Sequence, residues 1–304
     1  MKIIVTGGAG FIGAHAVNHL IDDGHRVLVI DDLSTGKLSN LNPKADFENI
    51  DITESRISDV IKSFEPSVIS HFAAQTSVSI STNNPILDAN SNIIGSMKVF
   101  DAMHQTECRN FIYINTGGAL YGEPKYLPVD EKHPINPISP YGLSKWTAER
   151  YFLMQKNACD YVKILRLANV YGPGQDAFGE AGVVSIFSNK ILSNEPVTIF
   201  GDGKQTRDFV YVSDVVDAFK QALKKDESFS VNISSGEAVS INELYDLMSQ
   251  ISGNVISANY EDVRYGDLLH SVLSNKLATE LLGWVPRVDL GQGIKRTLDW
   301  HSAN

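Results

Sequence analysis

Cysteine is nearly absent from this chain. Cys108 and Cys159 are the only two among 304 residues. Their spacing fits no paired-thiolate metal site, so no metal is expected, and both read as small apolar residues of a protein kept in a reducing compartment. That predicts a cytoplasmic location. No run rich in Lys or Arg occurs, and the formal charge is -10. Nucleic acid and an anionic membrane surface are therefore excluded as expected partners. A small anionic ligand is still compatible, provided that local positive groups meet it. No apolar run is long enough to span a bilayer. The apolar start MKIIVTGG is broken at once by glycine, unlike a signal peptide. No internal repeat or low-complexity linker is visible. What remains is ordinary globular composition, 43% hydrophobic and 20% charged. Its length permits two domains, or one large α/β unit with an elaborated end.

Short β-branched and apolar runs recur along the first half: Lys2–Thr6, Arg26–Ile30, Ser67–Phe72, Asn110–Asn115 and Val162–Leu167. Helical patterns separate them, at about Gly10–Asp23, Asp88–His104 and Tyr141–Asn157. Such alternation predicts an α/β fold, a Rossmann-type doubly wound parallel sheet covered on both faces. The character changes after Tyr171, where YGPGQDAFGEAG reads as a glycine-rich loop. Short strands at Val197–Phe200 and Ser230–Ile233 follow, and Gly283 ends a helix within ELLGWVP. Residues 1–170 are expected to form a dinucleotide-binding domain to which segments near 205–235 return. Residues 171–304 are expected to form mainly a smaller, interleaved substrate region.

The stretch TGGAGFIG, Thr6–Gly13, lies between a predicted strand and a predicted helix. Gly7 suits the tight turn, Gly10 lets backbone approach a pyrophosphate, and Gly13 lets helix and strand pack closely. The helix start, with Phe11 and Ile12, presents N–H groups and the positive end of its dipole to phosphate. Asp31 follows Gly13 by eighteen residues, at the end of the second strand. There it can accept from an adenosine ribose. With Asp32 beside it and no adjacent Arg, a 2′-phosphate is repelled, which favours NAD over NADP. Asp51 and Ile52 follow an apolar segment and are expected to edge the adenine.

Ser139 and Pro140 suit the cap and first position of a helix on which Tyr141 and Lys145 stand one turn apart. Taken alone, the pair reads as a surface contact. Beside a nicotinamide it reads as a phenol whose proton is loosened by a cation, fit to take a hydroxyl proton while hydride leaves the same carbon.

The chain resembles the extended short-chain dehydrogenase/reductase family, and within it the UDP-glucose (UDP-galactose) 4-epimerases. The motifs are TGGAGFIG, DDLSTG at 31–36, HFAAQ at 71–75, YGLSK at 141–145, RLANVYGPG at 166–174, RDFVYVSDV at 207–215 and RYGD at 264–267. The resemblance covers essentially the whole chain. It implies an NAD-dependent enzyme that inverts carbon 4 of a UDP-hexose through a 4-keto sugar. It places Leu33, Ser34, Thr35 and Gly36 beside Asp31 and Asp32 at the cofactor, with Phe72, Ala73, Ala74, Gln75 and Asn90 lining it. Tyr141 is implied as base, with Lys145 holding the nicotinamide ribose. Asn169, Arg207 and Arg264 are implied to grip the diphosphate and Asp267 the uridine ribose, with Val183, Val184 and Ile199 in the substrate region. It also implies a homodimer joined through the helices near 88–104 and 141–157.

One position departs from the pattern. Four residues before Tyr121-Gly122 the family carries Ser or Thr, and this chain has Gly117. Direct transfer from the sugar to Tyr141, with Thr116 assisting, is the expected substitute. Dehydratase and decarboxylase relatives carry carboxylates just after the Thr; here Gly118 and Ala119 leave only chemistry at carbon 4. Counting four past Asp267 gives Ser271 as the gate of the sugar pocket. A Ser there would admit an N-acetyl group, so UDP-N-acetylhexosamines join UDP-glucose and UDP-galactose as expected substrates. UDP-glucuronate 4-epimerisation, and a dehydrogenase or reductase that releases its cofactor each turn, remain alternatives.

Overall fold

A computed structural model describes residues 1–155, 159–176, 182–263 and 268–303. Arg264 and Asp267 lie outside the described residues, as do 156–158 at the end of one predicted helix. The first half alternates as follows: β1 (Lys2–Thr6), α1 (Phe11–Asp22), β2 (Arg26–Asp31), β3 (Asp46–Asn49), α2 (Ile57–Phe64), β4 (Val68–His71), α3 (Val78–Asn83), α4 (Pro85–Ala89), α5 (Ser96–His104), β5 (Asn110–Thr116), α6 (Pro140–Met154) and β6 (Tyr161–Leu167). Then come β7 (Asn169–Tyr171), α7 (Val183–Leu192), β8 (Val197–Phe200), β9 (Thr206–Arg207), β10 (Phe209–Tyr211), α8 (Val212–Leu223) and β11 (Phe229–Ile233). The chain ends with β12 (Val239–Ser240), α9 (Ile241–Ser252), β13 (Ala258–Glu261), β14 (His270–Ser271), α10 (Lys276–Leu282) and α11 (Leu290–Ala303).

Seven strands form one parallel sheet in the order β11-β6-β5-β4-β1-β2-β3. Its strands read as unbroken apolar runs because both faces are covered. Ile3 and Val5 pack with Val17 and Leu20 of α1 and Phe219 of α8 on one face. Ile4 points the other way and packs with Ile61, Phe100 and Phe152 of α2, α5 and α6. A third apolar cluster joins α7, β8, α9 and α11 in the C-terminal region. β11 returns to pair with β6, and the other late strands form small sheets, β10-β7, β12-β9-β14 and β13-β8.

The chain runs across the sheet in opposite directions from β1, outward to β2 and β3 and, after β4, outward to β5 and β6. That reversal opens a crevice at the carboxyl ends of β1 and β4, where doubly wound sheets bind ligands.

The helix expected over Asp88–His104 is three pieces: α4, a π-helical turn over Asn90–Gly95, and α5. A Cβ on Gly95 would lie 2.7 Å from Ile52 Cγ1, so close packing on the β3–α2 segment fits only glycine here. Gly283 ends α10 in the left-handed region (φ 64°), as read from ELLGWVP.

Candidate active site

The glycine motif forms the floor of this crevice. Gly7 has φ 70°, and a Cβ there would meet Ala73 N at 2.5 Å. Gly13 lies so close to Gly7 that a Cβ would approach the Gly7 carbonyl oxygen to 2.1 Å. Gly10 differs: its only close neighbour would be that same oxygen at 3.4 Å. It caps α1 with no side-chain hydrogen bond. An open helix N-terminus with a bare Cα fits a pyrophosphate.

Asp31 is buried at the edge of this floor. Its Oδ2 accepts the N–H of Ala9 at 2.9 Å and its Oδ1 the N–H of Leu33 at 2.9 Å. The carboxylate therefore ties the glycine loop to the β2 end, and each oxygen keeps a lone pair for a ribose hydroxyl. Burial pushes its carboxyl up, opposed by those two bonds. Asp32 is exposed and accepts from the N–H and hydroxyl of Ser34 at 2.9 and 2.6 Å. Thr35 is exposed and Gly36 half-buried; a Cβ on Gly36 would come within 2.8 Å of Asp31 Oδ1. Asp51 holds its own turn, accepting from Thr53 N at 2.7 Å, and Ile52 is core.

Phe72, Ala73, Ala74 and Gln75 leave β4 half-buried at the crevice. Thr6 Oγ1 accepts from Ala73 N at 3.3 Å and bonds His71 Nδ1 at 2.6 Å, while His71 Nε2 reaches Ser96 Oγ at 2.9 Å. Burial, with the Lys145 charge nearby, pushes the His71 pKa down to about 3, so this imidazole is a neutral brace.

Asn90 is exposed. The residue that faces inward is Asn92: its amide accepts from Gln75 N and donates to Gln75 O, both at 2.9 Å, and also reaches Asp88 and Ser144. Asn92 thus fastens the Phe72–Gln75 segment to α6. The sequence offers only an Asp four residues before an Asn as its signal, and nothing in it marks that face as buried.

Helix α6 starts as predicted. Ser139 accepts from Gly142 N at 3.1 Å, and Pro140 takes the first position. Gly142 lets this helix touch the β5 loop, since a Cβ would sit 2.3 Å from the Ala119 carbonyl oxygen. Tyr141, the residue before that contact, is half-buried in the first turn. Lys145 is only 2% exposed. Its Nζ donates to Ile114 O at 2.9 Å and lies 4.2 Å from the centroid of the Tyr113 ring. Burial pushes the ammonium pKa down to about 7, against the raising effect of Asp88 and Glu149.

Thr116 Oγ1 accepts from Ala119 N at 3.1 Å and keeps its own proton to donate. Position 117 does not face open space: a Cβ there would strike Leu273 Cδ1 at 2.3 Å and approach the Leu167 and Arg166 carbonyls. Gly118 is less crowded: a Cβ there would stand in ordinary contact, 3.6 Å from Asn169 Oδ1 and 3.9 Å from Ser271 Oγ. Asn169 and Ser271 therefore converge opposite Gly118. Arg207 is aligned with Ser271 in the β9–β14 pair and donates to the Leu268 carbonyl at 2.8 Å. Val184 and Ile199 are buried in the third apolar cluster, and Val183 packs against it. No cluster of metal ligands occurs among the described residues.

A dinucleotide floor at α1, a Tyr/Lys pair on α6 and the polar residues Asn169 and Ser271 opposite Gly118 define a nicotinamide-dependent enzyme of the Rossmann class. The family model described as the NAD-dependent epimerase/dehydratase family matches residues 3–234. The chain is 40% identical to a UDP-glucose 4-epimerase of Mycolicibacterium smegmatis, over 99% of this chain and 98% of that one. It superposes on a UDP-glucose 4-epimerase of Thermotoga maritima with UDP-glucose at a TM-score of 0.96 and 43% identity, covering 100% and 99% of the two chains. A Thermus thermophilus UDP-glucose 4-epimerase in complex with NAD gives 0.94 and 36%, covering 99% of each. The chain belongs to the NAD-dependent epimerase/dehydratase family.

Proposed function

We propose that this protein is an NAD-dependent UDP-glucose 4-epimerase. One observation carries the reading: α6, with Tyr141 in its first turn, lies against the Ala119 carbonyl at Gly142 and buries Lys145 against the Ile114 carbonyl, so the pair stands at the carboxyl end of β5. NAD, when bound, supplies the acceptor and donor of the carbon-4 hydride. Tyr141 takes the 4-hydroxyl proton and later returns it. Lys145 steadies the phenolate and holds the nicotinamide ribose. Gly10 and the α1 N-terminus receive the pyrophosphate, and Asp31 the adenosine ribose. Thr116 donates toward the sugar oxygen. Asn169, Arg207 and Arg264 hold the diphosphate, and Asp267 the uridine ribose, while the 4-keto sugar turns. Residues 1–170 with the returning segments make the cofactor half, and the remainder makes the substrate half.

Ser271 is small and Gly118, opposite it and Asn169, carries no side chain, which supports acceptance of UDP-N-acetylhexosamines. Separate incubations with UDP-galactose, UDP-N-acetylgalactosamine and UDP-glucuronate, followed by separation of products, test the reading. The first two are converted to their carbon-4 epimers and the third is not. Ser271→Tyr lowers the ratio of acetylated to plain turnover; an unchanged ratio removes Ser271 from the gate.

The assembly is a homodimer. Its support is an apolar stripe on the outer face of α6, Leu143, Tyr151 and Met154, with exposed Ile86 and Ile94 on the neighbouring segment. A cytoplasmic location accords with two free, buried thiols. No helix among the described residues is long and apolar enough to cross a membrane.

A further inference from the structure

The carboxylate of Asp208 takes no part in the chemistry above, yet it is 0% exposed. It accepts four hydrogen bonds: from Ser235 N at 2.8 Å, Ser235 Oγ at 2.7 Å, Gly236 N at 3.2 Å and Leu273 N at 3.1 Å. All four donors are neutral. Its own carbonyl accepts Asn169 N at 2.9 Å. Arg207 precedes it in the chain and is in register with Ser271, two residues before Leu273. Three segments, carrying Asn169, Arg207 and Ser271, thus meet at one residue.

We propose that Asp208 is the positioning residue of the nucleotide-sugar clamp, fixing those three segments in one register. The inference rests on the preceding reading of Asn169, Arg207 and Ser271 as substrate ligands. An amide could not replace the carboxylate, because Asn offers one oxygen with two lone pairs to four donors. Burial pushes the Asp208 carboxyl up to about 6, against the pull of its hydrogen bonds. A raised folded value means that ionisation works against folding: stability from this group is fully present below the unfolded value and is lost as pH rises through about 6. The fold therefore bears a charge that disfavours it at neutral pH, which is expected where geometry at a site, not stability, is what the residue serves.

The test is calorimetric binding of UDP to the NAD-loaded protein, with steady-state kinetics alongside. Asp208→Asn weakens UDP binding and raises KM for the UDP-sugar by about tenfold, the scale of losing one or two such bonds. It leaves kcat within about threefold and the bound NAD unchanged, because the cofactor floor does not touch this hub. Should that variant fail to fold, Ser235→Ala, which removes a single hydroxyl donor, decides by raising both constants about threefold at constant kcat. The proposal is overturned if the folded variant binds UDP as tightly as the unmodified protein, or if kcat falls while UDP binding holds. Failure of the unmodified protein to bind UDP would instead overturn the substrate reading itself.

Discussion

At the scale of single residues, the site turns on a charge held where charge is disfavoured. Lys145 loses its water against β5 and gains the Ile114 carbonyl and the Tyr113 ring face, with Asp88 and Glu149 near enough to favour its charge. Its folded pKa falls from 10.5 to about 7, so the unfolded chain binds the extra proton across that interval. Stability from this group therefore rises with pH between about 7 and 10.5. Lys145→Met removes the titration. In cofactor-free protein, the Tm of Lys145→Met minus that of the unmodified protein falls as pH rises from 7 to 10. A difference that is flat with pH would show that this lysine is not desolvated.

Residue identity was legible in the sequence where a chemical type at a fixed spacing was enough. Gly7, Gly13, Asp31, Tyr141 and Lys145 fall into that group; Gly7 and Gly13 pack tightly, Asp31 ties to Ala9 beside them, and Lys145 is buried against β5. Side-chain direction was not legible. Gly117 stood out as a missing hydroxyl, but the backbone aims position 117 at β6 and Leu273. The position that faces Asn169 and Ser271 lies one residue on. That Asn90 is exposed while Asn92 holds Gln75 has a related reason: the face a residue takes is set by helical phase, which the sequence alone does not fix. Arg207 was legible only through its motif, since nothing in its spacing distinguishes it from a surface arginine.

At the scale of elements, one contact does most of the positioning. The α6 N-terminus lies against the β5 loop because residue 142 has no Cβ. Gly142→Ala drives a methyl into the Ala119 carbonyl and costs about 1–3 kcal/mol of stability. It also displaces Tyr141 from the sugar, and misplacement of about 1 Å lowers turnover by about a hundredfold. Full kcat in this variant would mean that the loop and helix are not the pair that orients the reaction. The strands and the longer helices were legible because strand–helix alternation is a property of whole segments. The π turn at Asn90–Gly95 was not, because the apolar pattern there reads as one continuous helix. Nor was the small β12-β9-β14 sheet, whose strands are too short to show a period.

At the scale of the whole molecule, the exposed α6 stripe predicts the assembly. Sedimentation of the unmodified protein gives a mass of two chains. Leu143→Asp combined with Met154→Asp gives a single chain, since two carboxylates on that face oppose each other across the joint. A monomer in the unmodified protein would leave the stripe to another partner. Arg207, aligned with Ser271, is the local cation that the proposed reading sets against the diphosphate, so a net charge of -10 does not bar an anionic substrate.

The central claim is that hydrogen at carbon 4 is lent to the protein-bound cofactor and given back. The direct measurement uses UDP-galactose labelled with deuterium at carbon 4, the NAD-loaded protein, ordinary water and mass analysis of the UDP-glucose formed. Retention of the deuterium at carbon 4 is the predicted result. UDP-glucose carrying solvent hydrogen there, or release of reduced cofactor in step with substrate loss, would contradict it.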